Sequence, residues 1–418
     1  MKTLHRIKKV RLIQPHFGTQ FHCLGDACPE DCCTGWTVSV DQASFESYKK
    51  SQHVKLKTRF QSMVHIGQEG SSKQAFGIIA KDPSTNACCF LEDRLCAIQK
   101  TQGSDKLSHT CFTFPRSHRK IDQFTEQAFT LSCPEVARLA LLKKNAFEFE
   151  QNEVQVRIES ISRIPSNMKG RIHSTIATNL RIFSIGLMKN DRSPTWEKLA
   201  TIGVVCESLS RAHRCGELTD ERAKSMIEGI EALVSQGKIS NTLSMAASQP
   251  MLQAEAFSLL LQVTPFRPYT DKARQRLLNA LEGLKFSQDR SNLDVSELAQ
   301  RYEEGVLRLT TTLSHTPWFL DHLVISDLWW NVFPFNRDDP YTSYIGVVTR
   351  FGIIRMLLAG SCMHNPQITV EELAQVVQTF YRHYQHNQSF ASNVDQCLER
   401  SGWNKLDRIF LLLKATDK

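Results

Sequence analysis

Apolar residues recur every three or four positions in many segments after residue 145, which places them on one face of a helix. One such stripe consists of Ile172, Ile176, Leu180, Phe183 and Leu187. Other stripes follow typical helix-starting residues: Ser193-Pro194, Thr219-Asp220, Thr270-Asp271 and the capping box Thr369-Val370-Glu371-Glu372. Alternation typical of strands is scarce. The pattern therefore predicts an all-helical domain over residues 146–418.

The segment before residue 146 shows no comparable periodicity. It contains short β-prone pieces, such as Gly35 to Val40, and many turn residues. With little periodic core, such a segment needs another source of folding energy, and metal ligation can supply it. Near its end, Ser132-Cys133-Pro134-Glu135 fits a capping box and places Cys133 at a helix N-terminus. We therefore expect a mainly α protein, with an irregular, cysteine-rich, metal-binding domain (1–145) before the larger helical one.

Composition is that of a folded protein, with 41% hydrophobic and 22% charged residues in 418. The most apolar stretch, Tyr344 to Gly360, contains Arg350 and Arg355 and is short for a membrane span, which favours a buried helix. The N-terminus has no apolar run typical of a signal peptide, so we expect a cytoplasmic location. In that reducing compartment, clustered cysteines indicate metal or redox chemistry and not disulfides.

The whole net charge of +8 lies within residues 1–145. A basic surface of this kind attracts an acidic protein or an anionic membrane, and peripheral membrane association stays open. A solvated surface with surplus lysine explains the charge equally well. Nucleic-acid binding is not expected, because the segment has neither interleaved aromatic residues nor a helix-turn-helix pattern.

Nine of the thirteen cysteines lie between Cys23 and Cys133, both included. Thiolates bind soft metals, and ligands a few residues apart let a short loop wrap one ion or cluster. A zinc site or a cubane cluster needs about four thiolates, so this set could form two sites, or one site and bystanders. Cys32 and Cys33 are adjacent, and their side chains are expected to diverge. Structural zinc and an iron–sulfur cluster both remain open on these grounds.

Several cysteine motifs resemble those of the flagellin lysine-N-methylase family, a group of CxxCxxCC-type metal-chelating proteins. The motifs are Cys32-Cys33-Thr34-Gly35-Trp36, Cys88 to Ile98, Thr110 to Arg116, and Leu131 to Leu139. The resemblance implies S-adenosylmethionine-dependent methylation of lysine ε-amines of flagellin, with a cysteine-ligated iron–sulfur cluster of the 4Fe-4S type and zinc as the alternative. The ligand set that it implies is Cys23, Cys28, Cys32, Cys33, Cys88, Cys96, Cys111 and Cys133. Cys89 stands where proline is expected and is a candidate spare thiol.

A second interpretation is a non-enzymatic zinc- or iron-binding interaction module, in which the same cysteines only stabilise the fold. It is favoured by the lack of a glycine-rich nucleotide fingerprint, which also leaves the cofactor pocket and the catalytic residues unassigned. The first cysteine spacing does not match the C-x3-C-x2-C of radical S-adenosylmethionine enzymes, so no radical mechanism is carried over. Five further residues are weaker candidates for the site: Glu92, Asp93, His109, His118 and Arg116. An ordinary surface role explains all of them better except Arg116, which closes a motif of the resemblance.

Overall fold

The computed structural model describes residues 5–67, 72–165, 168–264, 270–287, 293–384 and 388–416. By internal contacts the chain divides into two compact units. The first comprises mainly Met1–Val136 and Glu148–Ile164, and the second mainly Ala137–Phe147, Pro165–Arg267 and Lys272–Lys418. The domain boundary expected between residues 145 and 146 stays a prediction.

All strands of the described residues lie in the first unit. They are β1 (Ile7–Pro15), β2 (Ser39–Val40), β3 (Val64–Ile66), β4 (Gly77–Ile79), β5 (Leu91–Glu92), β6 (Leu95–Cys96), β7 (Arg116–Ile121), β8 (Phe124–Phe129), β9 (Phe149–Arg157) and β10 (Ile161–Ile164). Five of them form a mixed sheet in the order β10-β7-β8-β1-β9, and β2-β4-β3 form a smaller sheet. The expectation of an irregular N-terminal segment is therefore wrong in its secondary structure.

The pairing of β1 with β9 also corrects the expectation that everything after residue 145 is helical. The two strands are antiparallel over nine residue pairs, from Ile7 opposite Arg157 to Pro15 opposite Phe149. Alternation is hard to see because most of β9 is only partly buried and polar. Charge complementarity supports the pair instead, since Arg11 of β1 lies opposite Glu153 of β9.

The helices of the first part of the chain are short. They are α1 (Phe17–Gln20), α2 (Gln42–Lys49), α3 (Lys57–Met63), α4 (Ala97–Gln102), α5 (His109–Thr113) and α6 (Pro134–Leu142), with 3₁₀ turns at Gly25–Ala27, Lys73–Ala75, Ser104–Lys106 and Ile158–Ser160. A buried cluster packs α2 and α3 against β2, β4 and the segment around Phe90. In it, Tyr48 stacks on Phe60 at 4.5 Å between ring centroids, and Phe60 contacts Phe90. This first unit thus has a hydrophobic core of its own.

All regular secondary structure in the described residues of the second unit is helical, and the mainly α class is confirmed. Its helices are α7 (Ser174–Met188), α8 (Thr195–Arg214), α9 (Asp220–Ser235), α10 (Lys238–Ser244), α11 (Pro250–Val263), α12 (Asp271–Gly283), α13 (Val295–Thr312), α14 (Phe319–Trp330), α15 (Pro340–His364), α16 (Val370–Tyr384), α17 (Gln388–Ser401) and α18 (Leu406–Leu411). The capping box of α16 forms as the sequence indicated: the Thr369 amide donates to Glu372 Oε2 at 2.8 Å, and the Glu372 amide donates to Thr369 Oγ1 at 3.2 Å.

Among the described residues, α15 is long and apolar enough to cross a membrane by length and composition. Of its most apolar window, however, 89% is buried inside the protein, which is typical of a core helix. Its arginines are paired as buried charges require. Arg350 forms a bidentate ion pair with Asp327 at 2.8 and 2.7 Å, and Arg355 donates to Tyr302 Oη and to backbone carbonyls of the C-terminal segment.

Candidate metal centre

A two-residue hairpin positions two of the cysteines. Strands β5 and β6 are joined by Asp93 and Arg94, which both have positive φ (47° and 66°), as a type I′ turn requires. Leu91 pairs with Cys96 across the hairpin, and the Ala97 amide donates to the Phe90 carbonyl at 2.7 Å. The sequence between Cys88 and Cys96 therefore doubles back, and both thiols reach the same side.

A second backbone pairing brings the Cys32-Cys33 segment to this hairpin. The Cys88 amide donates to the Cys33 carbonyl at 2.8 Å, and the Gly35 amide donates to the Asn86 carbonyl at 3.0 Å. Gly35 has φ +93°, a value that only glycine adopts easily. The thiols of Cys32 and Cys33 are hydrogen-bonded to each other, so the expected divergence of these adjacent side chains is wrong.

Five of the eight candidate cysteines line one cavity of about 50 Å³, which we call the cysteine cavity. They are Cys32, Cys33, Cys88, Cys96 and Cys111. Cys111 arrives from a third segment, on α5, whose N-cap Ser108 accepts a hydrogen bond from the Cys111 amide. The other walls are mostly apolar and include Trp36, Phe90 and Leu107. Sulfur atoms from segments that are distant in sequence thus face one sheltered space.

The three remaining candidates, Cys23, Cys28 and Cys133, do not line the cysteine cavity. Cys28 is within electrostatic reach of Cys23 and Cys32, and Cys133 is within reach of Cys28 and Cys32. Cys133 lies just before α6, where the amides of Glu135 and Val136 donate to its sulfur, as its predicted position at a helix N-terminus implies. All eight candidates therefore occupy one neighbourhood of the first unit, joined at Cys32.

A half-buried cation, Arg116, accompanies Cys23, Cys28 and Cys133. The Arg116 guanidinium lies 4.9 Å from the Phe21 ring centroid and 5.9 Å from that of Phe129. Burial lowers the pKa of Arg116, and attraction to Cys23 and Cys133 acts in the opposite direction. A positive charge here stabilises thiolates or an anionic thiolate-bound metal.

Burial keeps the thiols protonated when no metal is bound. It raises the pKa of Cys88 to about 11 and that of Cys133 to about 12. It also raises the pKa of three other thiols, those of Cys28, Cys96 and Cys111. The hydrogen bond with Cys32 and then burial raise the pKa of Cys33. A soft cation offsets this cost, because it binds the deprotonated sulfur and displaces the protons.

The spacing of the sulfur atoms bears on which metal the residues fit. Within the described ranges, no three cysteine sulfurs lie within 4.8 Å of one another. One tetrahedral zinc ion with Zn–S bonds of ≈ 2.3 Å holds its sulfurs about 3.8 Å apart. A cubane cluster holds them further apart, because each thiolate binds a different iron atom. The thiol donors suit a thiolate-bound cluster or zinc, and among the described sulfurs no three are already at the spacing of a single zinc site.

The weaker candidates have mostly structural roles. Glu92 forms an ion pair with Arg59, and Asp93 is a residue of the hairpin turn. His118 is buried and forms a hydrogen bond with Gln127 at 2.7 Å. His109 does not line the cysteine cavity but lies close to His5 and Asp41, a group that sequence reasoning missed. The members of this group come from three well-separated segments of the chain, so no local spacing signals it.

Comparison with known proteins identifies the class. The family model of the FliB lysine N-methylase C-terminal domain matches residues 181–412, more than half of the chain. The chain therefore belongs to the FliB lysine N-methylase family and is a protein-lysine N-methyltransferase. The family expected from the cysteine motifs is thus confirmed, and the match lies in the helical part of the chain.

Individual relatives extend the similarity to the N-terminal part. The lysine-N-methylases of Salmonella typhimurium (strain LT2) and Salmonella choleraesuis (strain SC-B67) are each 26% identical over 97% of this chain and 100% of their own length. The flagellar biosynthetic protein FliU of Salmonella muenchen is 35% identical over 31% of this chain and 76% of its own length. No solved structure matches the chain.

Proposed function

We propose that this protein transfers methyl groups from S-adenosylmethionine to lysine ε-amines of flagellin, and that its cysteines hold a 4Fe-4S cluster. The observation that carries the cluster is the convergence of five cysteines, from three chain segments, on one apolar cavity. A flagellar substrate is supported by the relative named as a flagellar biosynthetic protein. A cytoplasmic location is part of the proposal, because a reducing compartment keeps these thiols available.

The residues of the cysteine cavity supply what a cluster needs. Four of its five thiols suffice for a cubane, and the fifth is available to hydrogen-bond or to exchange. Phe90 and Leu107 are buried beside them and exclude water, which limits loss of iron and keeps the local dielectric low. A cubane ligated by only three of these thiols would keep its fourth iron free of cysteine, and that iron would offer a coordination position to the amino and carboxylate groups of the cofactor.

Methyl transfer to lysine makes a definite energetic demand. An amine with the ordinary pKa of ≈ 10.4 is neutral in only about 4 of 10,000 molecules at pH 7, a cost of about 4.6 kcal/mol. The enzyme has to supply that amount through desolvation, nearby positive charge or a base. The nitrogen, the methyl carbon and the sulfonium sulfur also have to lie nearly in line, so positioning contributes much of the acceleration.

The activity is tested by incubating anaerobically purified, iron-loaded protein with methyl-labelled S-adenosylmethionine and purified flagellin. We expect label on flagellin lysines and mass increments of one methylene each, located by peptide mass spectrometry. Flagellin with acetylated lysines is the control and should take up no label. Unchanged flagellin mass with fully loaded protein would refute the proposed reaction.

The metal is tested separately by iron, sulfide and zinc analysis and by Mössbauer spectroscopy of the anaerobically purified protein. We expect a coloured protein with about four iron and four sulfide per chain. A colourless protein with stoichiometric zinc would refute the cluster and favour a structural role of the cysteines. The two experiments can fail independently, because methylation does not show which metal the thiols hold.

A further inference from the structure

A second group of metal-binding side chains lies in the first unit, apart from the cysteine cavity. His5, Asp41 and His109 each offer a ligand atom, and the three atoms lie within 4.8 Å of one another. His5 Nε2 is 3.9 Å and His109 Nε2 is 4.0 Å from Asp41 Oδ1. The two imidazole rings are 4.3 Å apart between centroids. We infer that these three residues bind one divalent transition-metal ion of the zinc or ferrous type.

The distances are close to those that such an ion requires. With bonds of about 2.1 Å, tetrahedral coordination separates neighbouring ligand atoms by about 3.4 Å. The observed 3.9 and 4.0 Å therefore need an inward movement of about 0.5 Å, which side-chain rotation supplies. Two imidazoles with one carboxylate are a ligand set that zinc and non-haem iron use, and it leaves positions open for water or substrate.

Asp41 is held in place by the fold. It is the N-cap of α2: Oδ1 accepts a hydrogen bond from the Ser44 amide at 3.0 Å, and Oδ2 accepts one from the His109 amide at 2.9 Å. These two donors fix the carboxylate and tie α5 to α2. Each oxygen keeps a lone pair, so Oδ1 can bind a cation without losing the cap. Such support from backbone donors is typical of metal-ligating carboxylates.

The imidazoles are little used by the fold itself. His109 Nδ1 is buried and has no hydrogen-bond partner. His5 Nε2 lies 3.2 Å from Ser44 Oγ, a contact that a hydroxyl can give up when a metal binds. The side chains of His5 and Asp41 are 3% and 4% exposed, and that of His109 is 12% exposed. A metal at His109 Nε2, the nitrogen that faces Asp41, would leave Nδ1 unpaired, so the unpartnered Nδ1 shows only that the fold makes no hydrogen bond with that nitrogen.

The three residues lie in the wall of a cavity of about 440 Å³, large enough for a small ligand. Glu46 and Glu159 line the same cavity and favour a cation, whereas Lys73 in the same wall opposes one. Arg157 is a further positive charge within electrostatic reach of His5 and His109, and it is neutralised in part by three backbone carbonyls. Arg6 forms an ion pair with Glu159 at 2.7 Å, so the charges around the site nearly cancel. Selectivity for nitrogen-binding metals over Ca²⁺ or Mg²⁺ follows from the two imidazole donors.

The inferred site is independent of the proposed methyl transfer, and its test uses zinc bound to the full-length protein. Zinc is titrated against a competing chelator, and X-ray absorption at the zinc edge separates ligand types. Ions held by histidine and carboxylate show Zn–N/O distances of ≈ 2.0–2.1 Å, whereas thiolate-bound ions show Zn–S at ≈ 2.3 Å. Any affinity tag belongs at the C-terminus, because His5 lies close to the N-terminus.

We expect one zinc per chain with nitrogen and oxygen ligands. His5→Ala, His109→Gln and Asp41→Asn should each weaken this zinc at least about 100-fold. Asparagine keeps one oxygen to cap α2, but its NH2 group replaces the acceptor for the His109 amide, so D41N removes the charge and one hydrogen bond while it preserves the cap. Exposed His65, on β3, is the matched control, and H65A should bind zinc like the unmodified protein.

Cys96→Ser, which alters the cysteine cavity, should leave the nitrogen-bound zinc in place, and so distinguishes the two centres. The inference is overturned if all bound zinc has sulfur ligands, or if the three variants at His5, His109 and Asp41 bind zinc as tightly as H65A does. Circular dichroism of each variant identifies any loss of folding. A folded D41N protein that binds zinc as tightly as the unmodified protein is sufficient by itself to overturn the inference.

Discussion

Close packing around Gly360 gives the sharpest prediction for stability. A Cβ atom added at Gly360 of α15 would lie 2.1 Å from the Ala280 carbonyl oxygen of α12. In the reverse direction, a Cβ at Gly283 of α12 would lie 1.9 Å from the Gly360 carbonyl oxygen. Real Cβ contacts are essentially never below 3.0 Å, and the opposing atoms here belong to the backbone. Gly360→Ala therefore has to move two helices apart.

The expected magnitude follows from two opposing terms. Overpacking of a well-packed core costs roughly 1–3 kcal/mol, and the upper part of that range applies because backbone has to move. Alanine regains roughly 0.5–1 kcal/mol of helix propensity over glycine. We expect a net loss of about 2 kcal/mol, which lowers the unfolding midpoint of a unit of this size by about 4–8 °C. The unfolding midpoint is measured by far-ultraviolet circular dichroism, which reports the loss of helix on heating.

Gly229 of α9 is the matched control, since a Cβ there meets nothing within 4 Å. Gly229→Ala should raise the midpoint by a few degrees, because only the propensity term remains. A G360A protein as stable as the unmodified one would refute the reasoning, because it would mean that α12 and α15 are not in backbone contact.

Three further predictions concern metal, pH and capping. Cys96→Ser should release metal from the cysteine cavity, whereas Cys215→Ser, at an exposed thiol, should retain it. Equal metal content in both variants would count against the centre. Burial lowers the pKa of His322 to about 4 from 6.5, so the unfolded chain binds more protons between these values. The free energy of unfolding should therefore fall by up to about 3 kcal/mol as the pH drops from 6.5 to about 4. His322→Gln should remove this pH dependence from urea-unfolding midpoints measured across the same range, and a variant with the unmodified protein's pH profile would contradict the prediction. Thr369→Ala removes the side-chain cap of α16 and should lower the free energy of unfolding, measured with urea, by about 1 kcal/mol. A decrease of less than about 0.3 kcal/mol would contradict the role of this cap.

The sequence predicted the helical part well because its signals are local. The stripe through Ile176, Leu180 and Phe183 is buried on α7, and the cap at Thr369 forms with the expected partner. Such features depend on residues within one turn of each other, so periodicity and capping chemistry are sufficient to find them.

Sheet pairing was not predictable in the same way. The partner of β1 is β9, and Arg11 lies opposite Glu153, so the two members of the stabilising pair are separated by most of the first unit's sequence. Polar residues dominate β9 because much of it is exposed, which removes the alternation that marks a half-buried strand. Strands so far apart in sequence pair only when the sheet assembles, and the residue pattern of one strand does not indicate its partner.

The two candidate metal groups, like the helices and the sheet, differ in how far the sequence predicts them. Cysteine is rare enough that its clustering is visible along the chain, and five of the eight candidates do line one cavity. The relation of Cys32 to Cys33 was misjudged because backbone pairing of Cys33 with Cys88 turns the loop. His5, Asp41 and His109 are common residue types without motif spacing, and only the fold brings them together.

The position of β1 has a consequence for synthesis of the protein on the ribosome. This strand is made well before its neighbours in the sheet, β8 and β9, which begin at Phe124 and Phe149. At about 5–20 residues per second, β1 waits roughly 7–27 s for β9 to be made. During that time its backbone donors and acceptors are open to other chains. A nascent chain of this protein therefore depends on timely elongation, or on a chaperone, to keep its first strand from pairing elsewhere.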